Sequence, residues 1–79
     1  MDITIKFFGL LTEAIQQEQI ILTLKEHCTA QDLTNTLLRT FPALEGKEFK
    51  LAVNKNIVTE NVVILPTDEL ALLPPFAGG

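Results

Sequence analysis

Thr29-Ala30-Gln31-Asp32-Leu33-Thr34-Asn35-Thr36-Leu37-Leu38-Arg39-Thr40-Phe41-Pro42 is the stretch that carries both a start and a stop signal for a helix. Thr29 can accept from a free backbone N–H, and Asp32 stands three residues later in the electropositive first turn. Together they form a capping box with Asp in place of the usual Glu or Gln. Leu33, Leu37 and Phe41 recur at fourfold spacing with Leu38 beside them, an apolar stripe that needs a core to face. Pro42 disfavours helical geometry at Phe41, so the helix stops about there.

Strand patterns flank this helix on both sides. Residues 3–8 alternate, with Ile3, Ile5 and Phe7 on one face and Thr4, Lys6 and Phe8 on the other. Gly9 ends that run, and residues 10–17 suit a short helix with Leu11 and Ile15 on one side. Residues 19–25 form a second strand, Ile20, Leu22 and Leu24 alternating against Ile21, Thr23 and Lys25. The first two strands can pair antiparallel as a wide hairpin. After the main helix, a turn region around Glu45-Gly46-Lys47 precedes a third strand over residues 49–54, with Phe49, Leu51 and Val53 on one face. Asn54-Lys55-Asn56 is a turn, since Asn tolerates left-handed geometry. Ile57 and Val58 suit a short strand, residues 62–65 are apolar but stop at Pro66, and Thr67-Asp68 turns the chain. Residues 69–73 form a last strand with Leu70 and Leu72 inward. This order predicts an α+β fold, a mixed sheet packed on one main helix as a two-layer domain over residues 1–79.

Composition narrows the function. With 47% hydrophobic and 20% charged residues, the 79-residue chain is a folded globule with a thin, mostly aliphatic core, since Trp and Tyr are absent. Six basic against ten acidic residues give a net charge of −4, and no window is rich in Lys or Arg. That argues against nucleic acid as a partner and permits docking on a partner with a basic surface. No apolar run approaches the roughly 20 residues that span a bilayer, and the start lacks the pattern of a signal peptide. Cys28 is alone, so no internal disulfide is required and cytoplasm is the simplest expectation.

The last six residues are where chemistry can reside, against the plainer reading of an ordinary glycine-containing terminus. Pro74 and Pro75 fix φ and favour an extended path away from the sheet, and Gly78 and Gly79 carry no side chains. Six extended residues reach about 20 Å, with a free carboxylate at the tip. A tail over residues 74–79 that is stiff at its base and narrow at its end fits threading into another protein's active site. The Gly79 carboxylate is ionised at neutral pH and a poor electrophile, so acyl chemistry requires activation, for which adenylation by ATP is the obvious route. Glycine admits the backbone to a tight channel and leaves the carbonyl unhindered.

Leu72-Leu73-Pro74-Pro75-Phe76-Ala77-Gly78-Gly79 resembles the tail of the small subunit of molybdopterin synthase, the sulfur carrier of molybdenum-cofactor biosynthesis. Phe7-Phe8-Gly9 with the following Glu13, Leu51-Ala52-Val53-Asn54, and Asp68-Glu69-Leu70-Ala71 carry the likeness over the rest of the chain. The resemblance implies a ubiquitin-like β-grasp fold and a cycle of loading and delivery. An ATP-dependent activating enzyme adenylates Gly79, sulfur donation makes it a thiocarboxylate, and the tail enters a pocket of the large subunit to give sulfur to a pyranopterin precursor. It also implies a heterotetramer, with two small subunits at the ends of a large-subunit dimer, and no cofactor bound to the carrier itself. Two positions depart from the pattern. Thr12 stands where Arg is common, and Thr67-Asp68-Glu69 replaces a Gly-Asp-Glu turn. Other Gly-Gly carriers, in thiamine sulfur transfer or protein modification, and a plain β-grasp interaction module remain alternatives.

Other residues weigh as follows. Phe8 either contributes an apolar docking patch with Ile57 and Leu73 or packs beneath the segment at residues 10–15. Phe76 is an anchor for a partner, and Pro74, Pro75 and Ala77 belong to the same contact. Cys28 is either a reactive thiol at the helix N-terminus or a small buried residue. His27 and Cys28 are too few ligands for a structural metal. Asp68 and Glu69, adjacent at a turn, suit a solvated turn better than acid–base catalysis.

Overall fold

A computed structural model describes residues 1–75, and β1 (Asp2–Phe7) organises it. Its strict alternation buries Ile3, Ile5 and Phe7 and leaves Asp2, Thr4 and Lys6 exposed. The next elements are α1 (Leu10–Ile15), β2 (Gln19–Thr23), α2 (Ala30–Thr40), a 3₁₀ turn (Pro42–Leu44), β3 (Lys50–Val53), β4 (Asn56–Ile57) and β5 (Leu70–Leu73). Among the described residues the strands form one mixed sheet in the order β2-β1-β5-β3-β4. The β1–β2 hairpin is antiparallel, with Asp2 opposite Thr23 and Lys6 opposite Gln19. Parallel pairing places Ile5 opposite Leu70 and Phe7 opposite Leu72, so the first and last strands meet near the middle of the sheet. β3 pairs antiparallel with both β5 and β4. A mixed sheet clasping one main helix is the arrangement expected from the sequence.

The capping box on α2 is formed. Thr29 Oγ1 accepts from the Asp32 N–H at 3.2 Å and the Asp32 carboxylate accepts from the Thr29 N–H at 3.1 Å. The Ala30 N–H donates to the Val62 carbonyl at 2.7 Å, and the Gln31 N–H donates to Asn61 Oδ1 at 2.9 Å. The Leu33 N–H reaches the Thr29 carbonyl at 2.9 Å, so each of the first four amides has a partner. Leu33 and Leu37 are fully buried against Ile3, Ile5, Leu70 and Leu72 in the single core cluster. Each such side chain contributes about 1.5–3 kcal/mol through burial.

Several element ends differ from expectation. α1 stops at Ile15 because Gln16 takes a left-handed cap with φ 64°. β2 stops at Thr23, yet Leu24 beyond it is still buried. β3 begins at Lys50 and ends at Val53, β4 is Asn56–Ile57, and β5 begins at Leu70. Val58 has left the strand, but its N–H still donates to the Leu51 carbonyl at 2.9 Å. The main helix ends at Thr40, and Pro42, instead of simply breaking the chain, opens the 3₁₀ turn that drives Leu44 into the core. Phe41 stacks edge-on against Phe7 with ring centroids 6.2 Å apart, which closes that end of the core. Residues 62–65 join no sheet strand. They run beside the entry to α2, where the Ile64 N–H donates to the Cys28 carbonyl at 2.7 Å and Ile64 is buried. Among the described residues, no helix is long and apolar enough to cross a membrane.

Candidate functional site

The sheet has a second face, turned away from α2, and registration decides what stands there. Leu51 and Leu72 oppose each other and are buried in the core, so their neighbours Ala52 and Ala71 oppose each other on the outer face. Ile57 pairs with Ala52 and joins that row, while Leu73 pairs with Lys50 one row further along. The Phe8 N–H donates to the Leu72 carbonyl at 3.2 Å, extending the parallel ladder one residue past β1 and setting Phe8 beside Leu73. Phe8 is 46% exposed and stands outside the core that Phe7 enters. Phe8, Leu73 and Ile57 thus share one face, with the methyls of Ala71 and Ala52 between them. Charges of both signs border the face. Lys50 adjoins Leu73, and Lys6 adjoins Ala71 and makes a 3.9 Å pair with Glu69. That pair is exposed and contributes about 0–1 kcal/mol.

The root of the tail is held more firmly than the sequence implied. The last strand ends at Leu73 as expected, yet Pro74 beyond it is buried and Pro75 half-buried. Gly9 makes this possible. Its φ of 60° and ψ of −138° lie in a region essentially closed to residues with a Cβ. A Cβ built there would stand 2.8 Å from Pro74 Cγ, inside van der Waals contact. In the sequence the glycine marks only the end of a strand, because nothing local shows that a proline 65 positions later rests on it. Phe76, Ala77, Gly78 and Gly79 lie outside the described residues.

The three sequence blocks that carried the family likeness meet in space. Phe7-Phe8-Gly9 lies against Leu72 and Pro74. Asn54 and Glu69 exchange hydrogen bonds: the Asn54 N–H donates to the Glu69 carbonyl at 2.8 Å, and the Glu69 N–H donates to Asn54 Oδ1 at 2.9 Å. Asp68 accepts from the Leu65 N–H at 2.7 Å and from Asn54 Nδ2 at 2.9 Å. Asp68 therefore tightens the turn that launches β5, a structural use of the carboxylate. Thr12 turns its hydroxyl inward and donates to the Phe7 carbonyl at 2.9 Å, fastening α1 to the end of β1.

The other candidates lie elsewhere. Cys28 is buried, and burial pushes its thiol above the ordinary range, with Asp32 adding to the effect. The helix N–H groups that would favour a thiolate are already occupied. Among the described residues, no three of His, Cys, Asp and Glu come together to hold a metal ion.

A model of the ThiS family matches residues 5–79. The molybdopterin synthase sulfur carrier subunit of Arabidopsis thaliana is 28% identical over 81 residues, covering 100% of this chain and 84% of that protein. The crystal structure of SAMP1 from Haloferax volcanii matches with a TM-score of 0.83 at 24% identity, over 100% of both chains. A protein–protein complex of subunits 1 and 2 of molybdopterin-converting factor from Helicobacter pylori contains a chain that matches with a TM-score of 0.67 at 24% identity, again over 100% of both. At these identities the two solved structures speak to fold, and the fold is a ubiquitin-like β-grasp.

Proposed function

Because the chain belongs to the ThiS family, we propose that it is a sulfur carrier, the small subunit of a molybdopterin synthase, working through the carboxylate of Gly79. The observation that carries this is the tail's mounting. β5 lies between β1 and β3 and Pro74 is buried on Gly9, so the chain that leads to Gly79 is anchored at its root. A rigid root followed by Pro75 and a glycine-ended tip delivers one reacting atom at a fixed reach. The likeness to the Arabidopsis thaliana sulfur carrier subunit supports the pathway. No residue of the described domain needs to be catalytic, because the chemistry is supplied by the proteins that take up the tail.

In this cycle the Gly79 carboxylate attacks the α-phosphorus of ATP on an activating enzyme, and pyrophosphate leaves. A sulfide-level sulfur then attacks the acyl carbon, AMP leaves, and a thiocarboxylate remains. In the large subunit the thiocarboxylate sulfur is passed to a pyranopterin precursor, and water restores the carboxylate. The small subunit docks through Phe8, Ile57 and Leu73, with Pro74, Pro75, Phe76 and Ala77 following into the pocket, in a heterotetramer within the cytoplasm. Incubating the purified chain with ATP, an activating enzyme and sulfide should add about 16 Da, oxygen exchanged for sulfur, localised to Gly79. Deleting Gly79 should abolish the gain. An unchanged mass, with the enzyme active on a control carrier, overturns the proposal.

The structural match to SAMP1, a small archaeal modifier protein, favours one second reading, attachment of Gly79 to lysines of other proteins. Conjugates of higher mass that survive thiols, in place of the thiocarboxylate product, would establish it.

A further inference from the structure

β2 is one edge of the sheet, and it lacks the usual protections of an edge. Open strands are commonly very short, or carry charge, proline or a bulge. β4, the opposite edge, is two residues long, whereas β2 runs for five, Gln19-Ile20-Ile21-Leu22-Thr23, with no charge and no proline. Ile21 at its centre is 69% exposed, more than any other large apolar side chain among the described residues. Exposed Thr4 and Lys6 of β1 separate it from the face of Phe8, Leu73 and Ile57. The backbone shows which groups are open. The Leu24 N–H donates to the Met1 carbonyl at 2.7 Å, and the Phe7 N–H donates to the Glu18 carbonyl at 2.9 Å. Antiparallel ladders alternate, so in this register Ile20 and Leu22 spend their backbone groups on β1. The N–H and C=O groups of Gln19, Ile21 and Thr23 point the other way, out of the sheet's edge.

This edge is complementary to itself. With Ile21 opposite Ile21 of a second copy, Gln19 faces Thr23 and each pair exchanges both backbone bonds. On the α2 side Ile20 faces Leu22, two apolar side chains that the single chain leaves only half-buried. Charge supplies the direction. β2 is preceded by Glu18 and followed within two residues by Lys25, so antiparallel pairing brings Glu18 of each copy alongside Lys25 of the other. β1 repeats the pattern, with Lys6 beside Gln19 and Asp2 beside Thr23, so rows that cross the junction begin on Lys6 and end on the second copy's Asp2. We propose that β2 is a self-association edge, through which two copies of this chain pair antiparallel over Gln19–Thr23 and join their sheets about a two-fold axis. The axis stands perpendicular to the sheet, so both outer faces lie on one side. Because β5 runs parallel to β1, the two tails leave from opposite ends. So short an edge falls below the roughly 1,200–2,000 Å² of a standard interface, and the pair is transient.

The test is sedimentation equilibrium of the free full chain from about 10 µM to about 1 mM, a range that suits a transient contact. The unaltered chain should pass from monomer to dimer across it. Ile21→Lys sets like charges against each other at the two-fold axis and should weaken the dimer at least 10-fold, with the thermal midpoint within about 3 °C because the side chain is exposed. Leu65→Lys makes the same charge change at a leucine 53% exposed, in the turn before β5, and should leave the dimer unaltered. Lys25→Glu should weaken the dimer about 2- to 3-fold, and adding Glu18→Lys should restore it, which reads out the antiparallel register. Amide exchange at Gln19, Ile21 and Thr23 should slow as concentration rises. A chain that stays monomeric at about 1 mM, its edge left to an extended segment of another protein, overturns the proposal. A dimer that survives Ile21→Lys overturns it too. Neither result touches the carrier reading, which is tested separately by the mass gained at Gly79.

Discussion

Gly9 illustrates how one atom's absence can set a functional geometry. Alanine there would be forced into a glycine-only backbone region and would press its Cβ onto Pro74 Cγ at 2.8 Å. Gly9→Ala should lower stability by about 1–3 kcal/mol, read from the urea midpoint. Pro74→Ala removes the opposing ring atoms, so the double variant should recover part of that loss, and a double-mutant cycle should give a coupling of at least about 0.5 kcal/mol. Strict additivity would show that the contact carries no energy. Cys28 makes a different point, about pH. Its thiol is held above the ordinary range by burial, then by Asp32. The native state therefore keeps a proton that the unfolded chain releases first. The associated stability is intact below the thiol's ordinary value and declines as pH rises through the interval above it. Urea midpoints measured from pH 7 to 10 should fall more steeply for the unaltered chain than for Cys28→Ala; parallel curves would contradict the assignment.

At the scale of elements, the sequence revealed most where a signal was local. The capping box at Thr29 and Asp32, the leucine stripe and the alternation of β1 all formed as their chemistry dictates. Strand ends were less legible, because they depend on partners far away in the chain. Leu24 keeps an inward place after β2 has ended, and Phe8 joins a ladder only because β5 arrives beside it. The β3–β4 turn was visible as Asn54-Lys55-Asn56, yet its strain was not. Val53 pairs with Asn56, so Asn54 and Lys55 form a two-residue loop, both with positive φ, 52° and 72°. Hairpins of this kind favour glycine at the second loop position. Lys55→Gly should therefore raise stability by about 0.5–1 kcal/mol in a urea titration, with the loss of chain entropy already deducted. A destabilised variant would mean that Lys55 contributes a contact that outweighs its backbone strain.

For the molecule as a whole, net charge says little about any one face. The value of −4 permits a partner with a basic surface, yet Lys6 and Lys50 adjoin the apolar patch of Phe8, Leu73 and Ile57. Composition sums over the surface, and only strand register shows which residues share a side. The site was legible in part for the same reason: the tail announced itself, while the two alanines and the glycine on which the face and tail depend are unremarkable in one dimension. Ile57→Asp should weaken large-subunit binding at least 10-fold with stability within about 0.5–1 kcal/mol of the unaltered chain, Ile57 being half-buried on the outer face. Unchanged affinity would remove β4 from the interface. The parallel union of β1 and β5 has a consequence for dynamics. It joins Ile5 to Leu70 across nearly the entire described chain, and β5 is flanked on both sides. No partial opening exposes the strand that bears the tail without dismantling the sheet's centre. Amide hydrogens of Leu70 and Leu72 should exchange with deuterium only through global unfolding, at the free energy measured by denaturant. The root of the tail is thus tied to the centre of the sheet: a pull applied beyond Pro74 cannot peel β5 away without unfolding the domain.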